Sequence, residues 1–189
     1  AKVDGQTYRF MGTEELELRP LVKTSEQGSW IGKYTTQQPA DGWQNAGFND
    51  KAWKEGEAAF GTMENEHTAK TQWGEEFIWV RRVADIQEDL TGKNVYLEFS
   101  HDDDAIIYIN GIKVVDTGNA CKKNERVKLS EEVVASLKPG ENLIAGYCHN
   151  RVGNGLLDFG LLVELDGYRS FHQTAQQTSV DVQPMQTYY

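Results

Sequence analysis

The chain has 189 residues, of which 39% are hydrophobic and 25% charged, as is typical of one globular domain with a substantial core. Its 19 basic and 29 acidic residues give a net charge of −10. This balance argues against nucleic acid and against an anionic membrane surface as partners, because both attract basic patches. No apolar run approaches the roughly 20 residues of a membrane-spanning helix, so no membrane insertion is predicted. Neutral ligands such as sugars or peptides stay open.

Short apolar segments bounded by Gly, Asn and Asp run through the middle of the chain, a pattern typical of an all-β sandwich. The first clear example is FIWVRRVADI, whose alternation places Phe77, Trp79, Arg81 and Val83 on one face. The predicted strands, in chain order, are 77–86, 95–100, 105–109, 112–116, 141–150 and 156–165.

Residues 95–109 are predicted as two strands separated by a charged loop. VYLEFS alternates between apolar and polar residues, whereas AIIYI at 105–109 is apolar on both faces and is predicted to be a central, covered strand. HDDD at 101–104 is the predicted loop that leads into this strand. Asn110 and Gly111 then predict a tight hairpin.

Two short helical turns are predicted among the strands. One begins after Ser130, which can cap a helix, has Glu131 and Glu132 in its first turn, and ends before Pro139. The other is predicted over 48–53.

The predicted domain organisation is a jelly-roll β-sandwich of roughly eight strands over residues 29–167. Residues 1–28 and 168–189 are each predicted to hold a connector and a strand of a flanking host domain. The two terminal strands, near 3–10 and 178–188, alternate cleanly. Because a lone strand leaves its backbone groups unpaired, they are predicted to pair as an antiparallel ribbon. The jelly roll is thus predicted to be an insertion in its host.

The three consecutive aspartates allow several interpretations. Alternation continues the Ala105, Ile107 and Ile109 face of the following strand through Asp103, and its Ile106 and Tyr108 face through Asp102 and Asp104. Three adjacent carboxylates therefore converge on one ion only if the backbone turns sharply. The favoured interpretation is that at least one Asp binds backbone N–H groups. The alternatives are a calcium site that uses Asp102 and Asp104, and paired-carboxylate catalysis.

Motifs for common catalytic chemistry are absent from the sequence: there is no P-loop, dinucleotide-binding fingerprint, zinc-protease helix motif or nucleophile elbow. The histidines at 67, 101, 149 and 172 have no metal-ligand spacing. No cofactor is therefore predicted, with structural calcium as the alternative, and the chain is predicted to be non-catalytic. The alternative functions are a small free-standing hydrolase and a calcium-dependent binding protein.

A polar cluster is predicted where strand ends meet at one rim of the sandwich. His149, Asn150 and Arg151 end one predicted strand, and His101 precedes another. Polar groups beside a tryptophan ring can form a shallow sugar site, because the ring stacks on the sugar and the polar groups bind its hydroxyls. The alternative is ordinary loop chemistry with the tryptophans in the core. The predicted ligand-binding residues are Trp73, His101, Asp102, Asp103, His149, Asn150 and Arg151.

Two cysteines, Cys121 and Cys148, lack the spacing of a zinc or thioredoxin-type pair. A disulfide between them and two free thiols are both compatible with the sequence, because two cysteines do not define the redox compartment.

Five stretches carry a family resemblance, in the order DGWQNAGFNDKAWKEGEAAFGT, TQWGEEFIWVRRV, HDDDAIIYINGIKV, LKPGENLIAGYCHN and LLDFGLL. Together they resemble the galactose-binding-like jelly rolls that accompany many secreted bacterial carbohydrate-active enzymes. They are most similar to the accessory jelly roll of large secreted glutaminase-like proteins of gut Bacteroides and their relatives. The terminal runs TYRFMGTEELELRPLV and QTSVDVQPMQTYY extend this likeness over nearly the whole chain.

The resemblance implies a setting and a fold more than an activity. It implies a periplasmic or extracellular module beside the catalytic part of a multidomain hydrolase, with flanking domains as partners. Relatives of this kind bind a glycan, hold a structural calcium or serve as spacers. The predicted role is therefore carbohydrate binding or structural packing.

Overall fold

The structure is a computed structural model that describes residues 17–62 and 69–165 and, by their backbone alone, residues 2–3 and 6–7. Its elements are β1 Lys2–Val3, β2 Gln6–Thr7, β3 Leu18–Val22, β4 Ile31–Thr35, β5 Lys54–Glu57, β6 Phe60–Gly61, β7 Thr71–Gln72, β8 Phe77–Ile86, β9 Val95–Ile109, β10 Ile112–Asp116, β11 Ala120–Lys128, α1 Glu131–Ser136, β12 Gly140–His149 and β13 Leu156–Glu164.

The strands form two faces around a single hydrophobic core. One face has the order β5-β4-β8-β12-β9 with β10 on β9, and the other has the order β9-β13-β6-β7 with β11 on β9 and β3 on β13. Strand β12 pairs antiparallel with β8 and β9, and β13 pairs antiparallel with β9, whereas β6 and β7 are parallel. The predicted all-β sandwich of the jelly-roll type is confirmed.

Strand β9 belongs to both faces. Its first part, up to Asp103, pairs with β11 and β13, and its second part, from Asp104, pairs with β12 and β10. Odd-numbered residues such as Leu97 and Ile107 are buried along the strand, except Asp103 at the crossing. The strand therefore crosses from one sheet to the other at the aspartates, as strands do at the corners of sandwiches.

This crossing corrects the expectation for HDDD. Residues 101–104 lie inside β9 and do not form a loop between two strands. The charged segment stays extended because its backbone groups keep ladder partners throughout: Asp102 lies opposite Leu156, and Asp104 lies opposite His149.

The predicted hairpin and the helix after Ser130 are both present, whereas residues 48–53 form a turn, with the Trp53 N–H donating to the Asp50 carbonyl at 3.0 Å, and not a helix. Asn110 and Gly111 have φ values of 48° and 85°, as a two-residue hairpin between β9 and β10 requires. The Asn110 side chain also accepts a hydrogen bond from the Leu143 backbone N–H at 2.8 Å. At the start of α1, the Ser130 side chain accepts from the Val133 N–H, as the capping prediction requires.

The chain divides into two compact units, residues 1–18 with 164–189, and residues 19–163. The domain boundary predicted near residue 28 falls within the larger unit. At the N-terminus, β1 pairs antiparallel with β2, so the chain reverses within the segment predicted as one strand over 3–10. The rest of that segment and all of 178–188 lie outside the described residues, and the predicted terminal ribbon stays a prediction.

Candidate functional site

The polar residues at the sheet crossing form one group, which we call the crossing cluster: Glu76, Asp103, Asp104, His149 and Arg151. β9 supplies the two aspartates, β12 ends at His149, and Glu76 directly precedes β8. The cluster assembles because the antiparallel ladder places His149 opposite both Phe77 and Asp104.

Asp103 binds the backbone of the segment that follows β12. Its Oδ2 accepts hydrogen bonds from the N–H of Arg151 at 2.8 Å and of Val152 at 3.4 Å. This confirms that an aspartate of HDDD binds backbone amides, although the segment it holds follows β12 and does not lead into β9.

Replacing Asp103 by Ala should lower the free energy of unfolding by about 1–2 kcal/mol, because two backbone N–H groups lose their acceptor. Urea unfolding followed by circular dichroism measures the change. Asp116→Ala is the control, since Asp116 forms an exposed ion pair with Lys113 and its loss should cost little. Equal stability of Asp103→Ala and the wild type would contradict this role.

Asp104 and His149 lie at the centre of the cluster. The His149 Nδ1 lies 3.1 Å from Asp104 Oδ2, and its Nε2 lies 2.8 Å from Glu76 Oε1. The ring also stacks on Phe77, with centroids 4.5 Å apart. Both ring nitrogens thus face carboxylate oxygens.

Arg151 and Asn150 close the cluster on the solvent side. The Arg151 Nε donates to Asp104 Oδ2 at 2.6 Å, and this hydrogen bond and the Asp104 charge raise the pKa of Arg151. The Asn150 backbone N–H donates to the Glu76 carbonyl at 2.8 Å, and its side-chain amide donates to the Gly153 carbonyl at 3.2 Å. His149, Asn150 and Arg151 therefore lie together at the end of β12, as predicted, and most of their polar groups bind neighbouring carboxylates and carbonyls.

His101 and Trp73 lie apart from this rim. His101 is 0% exposed, because it continues the inward-facing alternation of β9. Its Nδ1 lies 2.7 Å from the Asp103 carbonyl oxygen, and its ring stacks on Phe99. Trp73 is 3% exposed and belongs to the core. Neither ring presents a face to solvent in this structure.

Asp102 points toward β11, away from the crossing cluster. Burial raises its pKa, a hydrogen bond with the Cys121 thiol lowers it, and the charge of Asp103 raises it further. Cys121 is exposed and Cys148 is buried, and both are free thiols, so the alternative of a disulfide between them is not realised. Burial raises the pKa of Cys148 to about 12, which makes it an unreactive core residue.

The residues proposed for calcium fit a cation site poorly. Within 17–62 and 69–165, the structure has no group of three His, Cys, Asp or Glu side chains that could hold a metal ion. Asp104 is already paired with Arg151 and His149, while Asp102 faces Cys121. Calcium prefers six to eight oxygen ligands, which these two carboxylates do not supply.

Neither calcium nor a chelator should therefore change the melting temperature. A site saturated at 100 times its dissociation constant would stabilise the fold by about 2.7 kcal/mol, a shift of several degrees. Differential scanning fluorimetry with calcium chloride and with EDTA measures this. Magnesium chloride at equal ionic strength is the control for salt effects, and a rise of several degrees with calcium alone would restore the calcium site.

A row of aromatic side chains lies beside the crossing cluster, and of its members only His149 is a predicted site residue. Phe77, Trp79, Tyr147 and His149 form an aromatic row across β8 and β12, on the face turned away from the core. Their register places Phe77 opposite His149 and Trp79 opposite Tyr147. Burial raises the pKa of the Tyr147 hydroxyl, and the Asp104 carboxylate raises it further. The alternation of each strand is visible in the sequence, but the register that joins them is not.

Comparisons with known proteins identify the fold. No protein-family model and no curated protein matches the chain. Among solved structures, a β-glucuronidase from glycoside hydrolase family 2 superposes with a TM-score of 0.55 and 18% identity, over 82% of this chain and 18% of that chain. A Bacteroides uniformis β-glucuronidase superposes with a TM-score of 0.54 and 16% identity, over 79% of this chain and 18% of that chain.

A glycoside hydrolase family 2 member from Bacteroides cellulosilyticus gives a TM-score of 0.54 and 16% identity, over 76% of this chain and 20% of that chain. The chain has the fold of one domain-sized part of these enzymes. It spans about a fifth of their length, and at these identities the similarity concerns the fold alone. In the part of the chain that the structure describes, no helix is long and apolar enough to cross a membrane.

Proposed function

We propose that the chain is a non-catalytic accessory module of a larger carbohydrate-active protein. The observation that carries this proposal is the match of most of the chain to about 18% of a glycoside hydrolase family 2 enzyme. A segment of this size is a typical domain, and flanking domains of the same protein are its natural partners. The proposal places the module in the periplasm or outside the cell, as the sequence resemblance implies.

The crossing cluster supports a non-catalytic role. Glycoside hydrolysis normally needs two carboxyl groups about 5–10 Å apart, one of them free to donate a proton and the other free to attack or to activate water. The two aspartates of the cluster are instead engaged with the chain itself: Asp103 with backbone amides, and Asp104 with Arg151 and His149. Their bonds stabilise the strand crossing and leave neither carboxylate free.

We also propose an enzyme class for the parent protein. The sequence resemblance implies a glutaminase-like parent, whereas the solved structures reported above are glycoside hydrolases. We therefore place the module beside a glycoside-cleaving catalytic part.

The purified chain should hydrolyse neither nitrophenyl glycosides, including the β-glucuronide, nor glutamine. Absorbance at the nitrophenolate band and ammonia release measure the two reactions at high protein concentration. Asp104→Asn is the matched variant, because it removes the charge of a carboxylate in the crossing cluster. Turnover by the wild type that this or another single substitution abolishes would overturn the proposal. Turnover that persists in every variant would indicate a contaminating enzyme.

A further inference from the structure

The aromatic row is an ordered apolar surface on the outside of a sheet. The centroids of Phe77 and His149 are 4.5 Å apart, and those of Trp79 and Tyr147 are 5.4 Å apart. Phe77 also contacts Tyr147 at 6.2 Å and Trp79 at 5.9 Å. Each ring is thus held by its neighbours in the row, and little side-chain freedom is left to lose on binding.

The row stays partly open to solvent. Trp79 is 8% exposed, whereas Phe77, Tyr147 and His149 are half-buried, as is Ile106 on the adjacent strand β9. None of them belongs to the core between the sheets. Aromatic rings on an outer sheet face are stabilised less than buried rings are. Several adjacent rings there therefore indicate an interaction surface.

The same sheet face is covered at its other end. There Trp43 packs edge-on against Tyr108, and Phe48 lies 5.5 Å from the Arg81 guanidinium. Arg81 also pairs with Asp50 at 2.8 Å. The segment that carries Trp43, Phe48 and Asp50 therefore packs over one half of the face, and the aromatic row lies on the other half.

Polar groups border the aromatic row where it meets the crossing cluster. Glu76 is 60% exposed at its side chain, and Arg151 is 50% exposed. Thr35 of β4 lies opposite Trp79 on the other side. Ring surface beside exposed hydrogen-bonding groups is the combination that holds a pyranose, since its C–H face packs on rings and its hydroxyls bind polar atoms.

We propose that the aromatic row binds a neutral saccharide, with Phe77 and Tyr147 as the contact surface and Glu76 and Arg151 as hydroxyl-binding groups. This inference rests on the proposed accessory function and names its ligand. Charge selects a neutral sugar over a uronate: Glu76 and Asp104 border the row, Arg151 is already paired with Asp104, and the whole chain carries −10. A sugar carboxylate would meet negative potential there.

The test is a titration of the ¹⁵N-labelled chain with neutral oligosaccharides of glucose, mannose, galactose and xylose, and with a glucuronic acid oligosaccharide. At least one neutral sugar should shift the amide signals of β8 and β12 near the row, and the uronate should bind about tenfold more weakly or not at all. Tyr147→Ala should weaken binding about tenfold or more, whereas Tyr147→Phe should retain it.

Tyr96→Ala is the matched control, because Tyr96 lies in the part of β9 that pairs with β11 and β13. Its affinity should equal that of the wild type, and dispersed spectra of every variant verify folding. No shift with any neutral sugar, shifts away from the row, or tighter binding of the uronate would overturn the inference. These binding results do not bear on the proposal that the chain is non-catalytic. Only turnover by the chain would contradict that proposal.

Discussion

Replacing Asp158 by Ala should lower the free energy of unfolding by about 3–5 kcal/mol, the range found when one member of a buried charged network is removed. Asp158 is 4% exposed. Its carboxylate accepts hydrogen bonds from the Ser25 N–H at 2.8 Å, the Ser25 hydroxyl at 2.6 Å, the Trp30 Nε1–H at 3.0 Å and the Phe159 N–H at 2.9 Å. The Ala variant leaves these donors without their acceptor at a buried position.

A buried guanidinium adds to this cost. Burial lowers the pKa of Arg82 to about 10, and the Asp158 charge acts in the opposite direction. Arg82 donates to the carbonyls of Lys23 and Phe159 and lies over the Trp30 ring at 4.3 Å. Without Asp158, its positive charge stays buried with no carboxylate to offset it.

Urea unfolding of Asp158→Ala against the wild type measures this loss. Asp85→Ala is the matched control, because Asp85 lies at an exposed position of β8 and should change stability by less than about 0.5 kcal/mol. Equal losses from the two variants would contradict the assignment of Asp158 as the centre of a buried network.

The stabilisation that the raised pKa of Asp158 provides decreases as the pH rises. Burial raises the pKa of Asp158 above its ordinary value of 3.8, while the hydrogen bonds from Ser25, Trp30 and Phe159 lower it in part. The folded chain therefore keeps this proton to a higher pH than the unfolded chain does. The resulting stabilisation is complete below pH 3.8 and is lost as the pH rises through the folded-state pKa. Asp158→Asn should remove this component from the pH profile of stability.

Replacing Gly160 by Ala should cost about 3 kcal/mol through overpacking. A Cβ at this position would meet the Val22 carbonyl oxygen, and it would lie 2.8 Å from the Thr24 nitrogen and 3.0 Å from the Lys23 carbonyl carbon. All three are backbone atoms that cannot rotate away. Glycine here lets the chain around β3 pass directly over β13.

Thermal unfolding compares Gly160→Ala with Gly47→Ala, because an added Cβ at Gly47 has no atom within 4 Å. The control should be neutral to slightly stabilising, since alanine restricts the unfolded chain more than glycine does. A melting temperature of Gly160→Ala within a degree of the control would show that the backbone yields at this contact.

Local patterns in the sequence predicted much of the fold. The alternation in 77–86, the apolar run over 156–165, the Asn110-Gly111 turn and the Ser130 cap each depend on neighbours along the chain, and each has its counterpart in the structure. Strands β3 to β7 and β11 are not among the predicted strands, because segments such as KEGE and ACKKNERVK carry no apolar alternation and are strands only through their pairing partners.

The candidate site was harder to predict for the same reason. Three aspartates in a row predict a loop. In the structure, the pairing of Asp102 with Leu156 and of Asp104 with His149 keeps them in a strand. The burial of His101 could have been read from its odd-numbered place after Val95, Leu97 and Phe99. The aromatic row depends on the register between β8 and β12, which no local pattern contains.

The most direct test of the account is whether the aspartate run is a strand crossing that the ladder holds in place. NMR of the labelled chain should show cross-strand nuclear Overhauser effects between Asp102 and Leu156 and between Asp104 and His149, with slow amide exchange at 101–104. Calcium should leave these signals unchanged. Rapid exchange at 101–104 without cross-strand effects, together with calcium-dependent shifts there, would show a metal-binding loop and contradict the account.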